Sequence, residues 1–267
     1  MVAGILSDTE QFGSLSVFNE KGHRQFLGKF TGAGSYTWIK QFNSSVRRIK
    51  SDKQGIFYVC GNYNQNLFVG DSVHQTTENY DFEGFLLQLS DSVNWIRTLG
   101  MKGVVQYGYR TSDVMSDIAF DSVGNPCVLT MIEWNAVPNT TVSVISGVVM
   151  QYDEKGNLLD SIPIVTSLTR GGVACLNINP KDEFVVSGME QTLANGAVVH
   201  QGFLYTFNRL GKLIDQQKIE HEKNFMFRSS FTNESGTVYT GHYKTRLQIN
   251  DSAIKNDGNH GLFMYRP

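Results

Sequence analysis

The chain has 267 residues, 40% of them hydrophobic and only 18% charged, with a formal net charge of −2. That length supports one large domain with a substantial core, and near-balanced charge argues against a partner recruited electrostatically, whether nucleic acid or membrane surface. No apolar run approaches the ~20 residues of a membrane helix, and Met1 leads straight into a strand-like segment that leaves no room for a signal peptide, which points to a product made in the cytoplasm or a trimmed one.

Taken in chain order, the elements repeat. Val2-Ala3-Gly4 is followed nine residues after its Gly by Phe12-Gly13, and a strand at Arg24-Gln25-Phe26-Leu27 precedes Trp38. The next stretch starts a strand at Val46-Arg47-Arg48-Ile49. It continues to Val59-Cys60-Gly61, reaches Val69-Gly70 at the same spacing, and adds Glu83-Gly84-Phe85-Leu86-Leu87 before a Ser90-Asp91-Ser92 turn. A third copy reads Asp117-Ile118-Ala119-Phe120, the turn Asp121-Ser122-Val123-Gly124-Asn125, Val128, Ser146-Gly147-Val148-Val149-Met150 and a turn at Asp153-Glu154-Lys155-Gly156-Asn157. A fourth runs from Ala174-Cys175-Leu176-Asn177-Ile178 through Val186 and Gln201-Gly202-Phe203-Leu204-Tyr205 to Asn208-Arg209-Leu210-Gly211-Lys212. The last has Phe227-Arg228-Ser229-Ser230-Phe231, Tyr239-Thr240-Gly241, Ile249-Asn250 and His260-Gly261-Leu262-Phe263-Met264. The Gly, Asn and Asp clusters are hairpin turns, so each unit is a four-stranded antiparallel meander.

The period of the second-strand landmark runs from 53 residues, between 186 and 239, to 69, between 59 and 128. A four-stranded sheet recurring at that order of spacing is a β-propeller blade. Such a sheet cannot bury both faces alone, and stacked neighbours cover each other. The expected fold is a single all-β domain over 1–267, a propeller of about five blades at approximately 1–44, 45–112, 113–170, 171–223 and 224–267. The first blade begins at its second strand and the last stops after its third, giving eighteen strands. A ring with two short blades fits this, as do edges completed by another chain.

These motifs resemble the bacterial seven-bladed β-propeller repeats. Units of that family read as an Asp-x-x-Gly-Asn turn, Val-x-Gly, a Phe-Gly return, a Phe-Val-x-x-Leu strand and a Trp-x-x-x-Leu-Gly strand. Asp121 to Asn125, Val59-Cys60-Gly61, Phe12-Gly13, Gly84 to Leu89 and Trp95 to Gly100 carry the likeness. The resemblance implies a fold and leaves function open, because propellers host lectins, hydrolases, scaffolds and adhesins alike.

Chemistry-bearing residues are sparse in pattern. Cys60, Cys127 and Cys175 are odd in number and lie on apolar strands, so they read as buried small hydrophobes. The histidines at 23, 74, 200, 221, 242 and 260 are scattered over different units, and no metal or other cofactor is expected. Ser187-Gly188 lies in the Val-x-Gly register and lacks a nucleophile elbow, so no catalytic residue is assigned. Asp117, Glu133 and Glu190 are the nearest candidates for paired axial carboxylates. The basic cluster of Arg47, Arg48, Lys50 and Lys53 reads as a solvated or ion-paired stretch of a first strand. Trp38 and Trp95 recur at the repeat length, as do Tyr63 and Tyr243 just after the Gly, so they read as packing residues.

What does not repeat is informative, because packing does not require it. The second-to-third and fourth-to-first connections share one face of a propeller, and here they carry Tyr107, Tyr109, Arg110, Trp134 and Arg170. Tyr, Trp and Arg dominate binding hot spots, although the same residues also serve as loop anchors against the blades. The resulting expectation is a non-enzymatic interaction or scaffold module that binds a protein partner, itself included, as a subunit of a larger assembly such as a virion or tail. A glycan-binding lectin is the alternative, and a glycoside-processing hydrolase a third reading. Neither nucleic acid nor membrane insertion is expected.

Overall fold

In a computed structural model the chain is all β, without an α-helix among the described residues. Those residues are 2–5, 10–12, 15–17, 25–42, 44–64, 66–69, 72–75, 82–99, 112–135, 143–164, 172–194, 197–221, 226–233, 236–243, 246–249, 252–255 and 261–266. The first blade comprises β1 (Val2–Ile5), β4 (Gln25–Phe30) and β5 (Tyr36–Phe42), with a hairpin of β2 (Glu10–Phe12) and β3 (Leu15–Val17) between β1 and β4. The second comprises β6 (Ser45–Ser51), β7 (Phe57–Asn64), β10 (Phe82–Leu89) and β11 (Val93–Leu99), with a hairpin of β8 (Asn66–Val69) and β9 (Ser72–Gln75). The third is β12 (Ser112–Phe120), β13 (Pro126–Asn135), β14 (Ser143–Tyr152) and β15 (Leu158–Ile164); the fourth is β16 (Gly172–Ile178), β17 (Phe184–Ala194), β18 (Ala197–Phe207) and β19 (Leu213–His221). The fifth has β20 (Met226–Asn233), β21 (Gly236–Tyr243) and β24 (Gly261–Tyr265), with a hairpin of β22 (Arg246–Ile249) and β23 (Ser252–Lys255). The chain is thus a β-propeller of five blades. It divides into two compact units, Met1–Met115 and Ser116–Pro267.

One turn recurs five times. Asp52, Asp121, Asp153, Asn179 and Asn208 each use Oδ1 to accept the backbone N–H groups two and four residues ahead, at 2.7–3.1 Å. An acid or amide is needed there because its side chain replaces the strand ladder where the chain reverses. The third residue after it has φ from 60° to 95°: Gly55, Gly124, Gly156, Asp182 and Gly211. Glycine occupies four of the five because left-handed backbone carries no Cβ penalty there.

The Val-x-Gly motif has an equally local cause. Gly4, Gly61, Gly188 and Gly241 pair across the ladder with Phe26, Phe85, Phe203 and Phe263. A Cβ at any of them would lie 2.4–2.9 Å from that ring. In the second, fourth and fifth blades it would also meet a first-strand carbonyl oxygen, at 1.9 Å for Ser45, 2.2 Å for Gly172 and 2.2 Å for Met226. β-bulges that follow at Val46/Arg48, Val173/Cys175 and Phe227/Ser229 accompany this close approach. The third blade departs at both partners, since Thr130 pairs with Val148.

This register corrects the motif alignment of the last blade. Phe263, opposite Gly241, matches Phe85, so Leu262 rather than Gly261 occupies the place of Gly84, Gly147 and Gly202.

Third strands pack across blade boundaries. Leu27 of the first blade is buried with Val59, Tyr63, Phe85 and Leu87 of the second. Val149 of the third packs with Phe184, Phe203 and Tyr205 of the fourth, and Leu204 of the fourth with Phe227, Tyr239 and Phe263 of the fifth. Three hairpins were not expected as such. Phe12 pairs with Leu15, Val69 with Ser72 and Ile249 with Ser252, so the Phe-Gly return is the first arm of a hairpin each time. β22 of the last hairpin adds to β19 of the preceding blade through Glu220↔Gln248 and His221↔Leu247. Leu247 and its counterpart Leu67 are both fully buried.

Candidate functional site

Tyr107, Tyr109, Arg110 and Arg170 lie outside the described residues, and of Trp134 only the backbone is described, paired with Val144 near the end of β13. The strands that flank them are described. Ile164, the last residue of β15, pairs with Gly147, which pairs with Met131 three residues before Trp134. The segment that carries Arg170 therefore leaves the third blade at the end where Trp134 stands. In the first unit, Leu99 pairs with Gly84 and Ser112 with Phe82, so the segment of Tyr107, Tyr109 and Arg110 starts and finishes at the corresponding end of the second blade.

At that end of the second blade the structure places a polar pair that sequence reasoning passed over. The buried Tyr63 hydroxyl donates to Glu83 Oε2 at 2.7 Å, and Glu83 is itself buried. Burial first, then the hydrogen bond and the charge of Glu83, push the Tyr63 phenol well above its ordinary value. It is a hydrogen-bond donor at every physiological pH. The tyrosine was legible as a packing residue; the signal for its partner was an acid directly before the third-strand glycine. Gln25, which stands in the first blade where the second has Gly84, uses Oε1 to accept Val46 N–H of the second at 2.6 Å.

Of the three candidate axial acids, Asp117 has a complete structural role. It is fully buried, Oδ1 accepts Ile118 N–H at 2.8 Å, and Oδ2 accepts Leu176 N–H of the next blade at 2.9 Å. Glu133 and Glu190 are placed by backbone alone, opposite Ile145 and Gln201.

The opposite end of the second unit holds a charged latch. Asp182 accepts Ser122 N–H at 2.9 Å and Ser122 Oγ at 2.5 Å, and pairs with Arg209 at 3.1 Å. Arg209 lies over the Phe184 ring, 5.0 Å from its centroid, and 3.8 Å from Asp121. Asp121 in turn accepts Gln151 Nε2 at 2.5 Å. The Ser122 hydrogen bond, ahead of the Arg209 charge, holds the Asp182 carboxyl below its usual range. Asp182 therefore explains its own left-handed backbone: glycine would fit the turn and lose the latch.

No protein-family model and no curated protein matches this chain. All three cysteines are buried, as expected, and none is in a disulfide. Among the described residues no group of three or more His, Cys, Asp or Glu side chains is placed to share a metal ion. No helix there is long and apolar enough to cross a membrane. Trp95 stands edge-on to Tyr58 at 6.0 Å with Arg97 over its ring, and Trp38 packs against the second-blade core.

Proposed function

We propose that the protein is an interaction module, a propeller scaffold that presents the second-to-third and fourth-to-first connections to a protein partner as part of a larger assembly. The observation that carries this reading is a division of labour. The repeated acids and amides, Asp52, Asp121, Asp153, Asn179 and Asn208, serve the backbone of their own turns, while Tyr107, Tyr109, Arg110, Trp134 and Arg170 break the repeat on connections that leave the blades at their loop end. Rigid scaffolds carry binding on such loops, and a propeller fold is consistent with that use. The blades read best as the bacterial-type repeats they resemble, a kinship of architecture that leaves the partner open. A virion or tail structure is the kind of assembly that suits such a subunit.

The test is affinity purification of the tagged full chain from its native source beside the Trp134→Ala and Arg170→Ala variants. A partner retained by the parent and lost from the variants supports the reading. No stable partner, together with hits on a glycan array or turnover of glycosides, replaces it with the lectin or the hydrolase.

A further inference from the structure

We propose that the turn end of the third and fourth blades is a membrane-contact surface, which rests on a lipid bilayer with aliphatic turn tips at the acyl boundary and lysine tips among the headgroups. The surface lies within the second compact unit, at the end opposite Trp134, so it is separate from the loop-end reading.

Four turns build it, β12–β13, β14–β15, β16–β17 and β18–β19. They hinge on Asp121, Asp153, Asn179 and Asn208, and the residue two further on is the tip of each: Val123, Lys155, Lys181 and Leu210, all exposed. Each blade thus contributes one aliphatic tip and one lysine tip. Val123 is 79% and Leu210 88% exposed, and both follow residues of the latch, since Ser122 and Arg209 both bind Asp182. The patch continues onto the first residues of the outer strands, Leu158 and Leu159 of β15 and Leu213 and Ile214 of β19, each 41–53% exposed. The two blades adjoin here, because a Cβ at Gly211 would lie 2.7 Å from the Pro163 carbonyl oxygen and 2.9 Å from Ile162 Cγ2. Six of the ten large hydrophobic side chains exposed among the described residues therefore gather at one end of two neighbouring blades, beyond the single scatter of an ordinary surface.

The fold does not require aliphatic residues at these places. Equivalent tips in the first two blades are Ala33 and Gln54, and the bulged outer-strand residues matching Leu159 and Ile214 are Thr37 and Asn94, all exposed. Composition then selects lipid over protein. Protein interfaces favour Tyr, Trp, Met and Arg and are depleted in Lys, and Leu and Val are under-represented among their hot spots. Here the apolar side chains are Val, Leu and Ile, interspersed with lysines, which is the composition of an interfacial membrane contact. Asp121, Asp153 and Asp182 of the same turns are taken up by their own backbone and by the latch. The net charge of −2 supplies no long-range attraction, so apolar contact drives binding and anionic headgroups add to it through the lysines at short range.

The test is co-flotation of the full chain with vesicles of phosphatidylcholine, alone and with an equal part of phosphatidylserine. The parent should bind both, and the mixed vesicles more tightly. Val123→Gln/Leu210→Gln places at both tips the residue that the repeat carries at Gln54, and should lower the partition coefficient at least about tenfold on either vesicle. Lys155→Gln/Lys181→Gln should lower it at least about fivefold on the mixed vesicles alone. Melting temperatures should match the parent. Should a variant melt early, Leu210→Cys decides: the native cysteines are buried, so a polarity-sensitive dye attached at the tip reports that site and should shift to the blue on vesicles. A parent that stays off both vesicles overturns the proposal, as does binding that the aliphatic variant leaves unchanged, or a dye that remains in water. Capture of a protein partner that the aliphatic variant loses, without vesicle binding, also overturns it and makes the turn end a protein-docking surface. Each failure leaves the loop-end reading standing, because that reading is tested on Trp134 and Arg170.

Discussion

Gly188 shows how tightly single residues are specified. A Cβ there would lie 2.2 Å from the Gly172 carbonyl oxygen and 2.6 Å from Phe203, whereas at Gly4 the contact is with the Phe26 ring alone. Gly188→Ala should therefore cost about 1–3 kcal/mol or more, and Gly4→Ala less, as read by denaturant unfolding. Thr130 is the opposite case: its fully buried hydroxyl has no hydrogen-bond partner among the described residues. Thr130→Val should stabilise by about 1 kcal/mol, since an unpaired buried hydroxyl is a net cost. Asp182 has its carboxyl held below 3.8, so its contribution is complete above that ordinary value and is lost as pH falls through the lower folded value. Asp182→Asn keeps a residue tolerant of φ 60°, and should flatten the acid limb of a melting-temperature profile below about pH 4. An unchanged limb would show that the latch does not couple to folding. Burial, then the Asp121 charge, pushes the Cys127 thiol up to about 12, so a thiol reagent at neutral pH should label it only on unfolding.

At the scale of elements, the last hairpin acts as a strap between the fourth and fifth blades. Leu247 is buried with Ile219, Cys175 and Leu204 of the preceding blade, and Leu247→Ala should cost about 2–5 kcal/mol, measured by chemical denaturation. Most elements were legible in the sequence because Val-x-Gly, the Asp-x-x-Gly turns and the third-strand aromatics each answer to a local steric or hydrogen-bonding need. The second arms of the hairpins were not, since Leu15-Ser16-Val17 and Ser72-Val73-His74-Gln75 are short and carry no landmark. The last blade was read one residue out of register because Gly261 looked like Gly84; only the pairing of Phe263 with Gly241 shows which residue aligns. Asp117 illustrates the limit for sites. An acid at the entrance of a first strand reads the same in sequence whether it faces a substrate or, as here, holds an amide of the next blade.

Over the whole molecule, near-neutral charge and low charge density set the character of association. A net charge of −2 on 267 residues gives little long-range steering. Any association of such a molecule relies on contact rather than field. The loop-end aromatics were legible as departures from the repeat, and their function was not, because a binding Tyr and an anchoring Tyr share one composition.

The pairing of Thr130 with Val148, where the other blades have glycine and phenylalanine, also constrains which pairs of residues the site accepts. A threonine facing a phenylalanine would put a Cβ into the ring, as the 2.4–2.9 Å approach at the four glycines shows, so threonine opposite phenylalanine is the disfavoured intermediate between the two blade types. Glycine opposite valine leaves the ring's space unfilled, so the two positions are coupled and change in either one alone carries a packing cost.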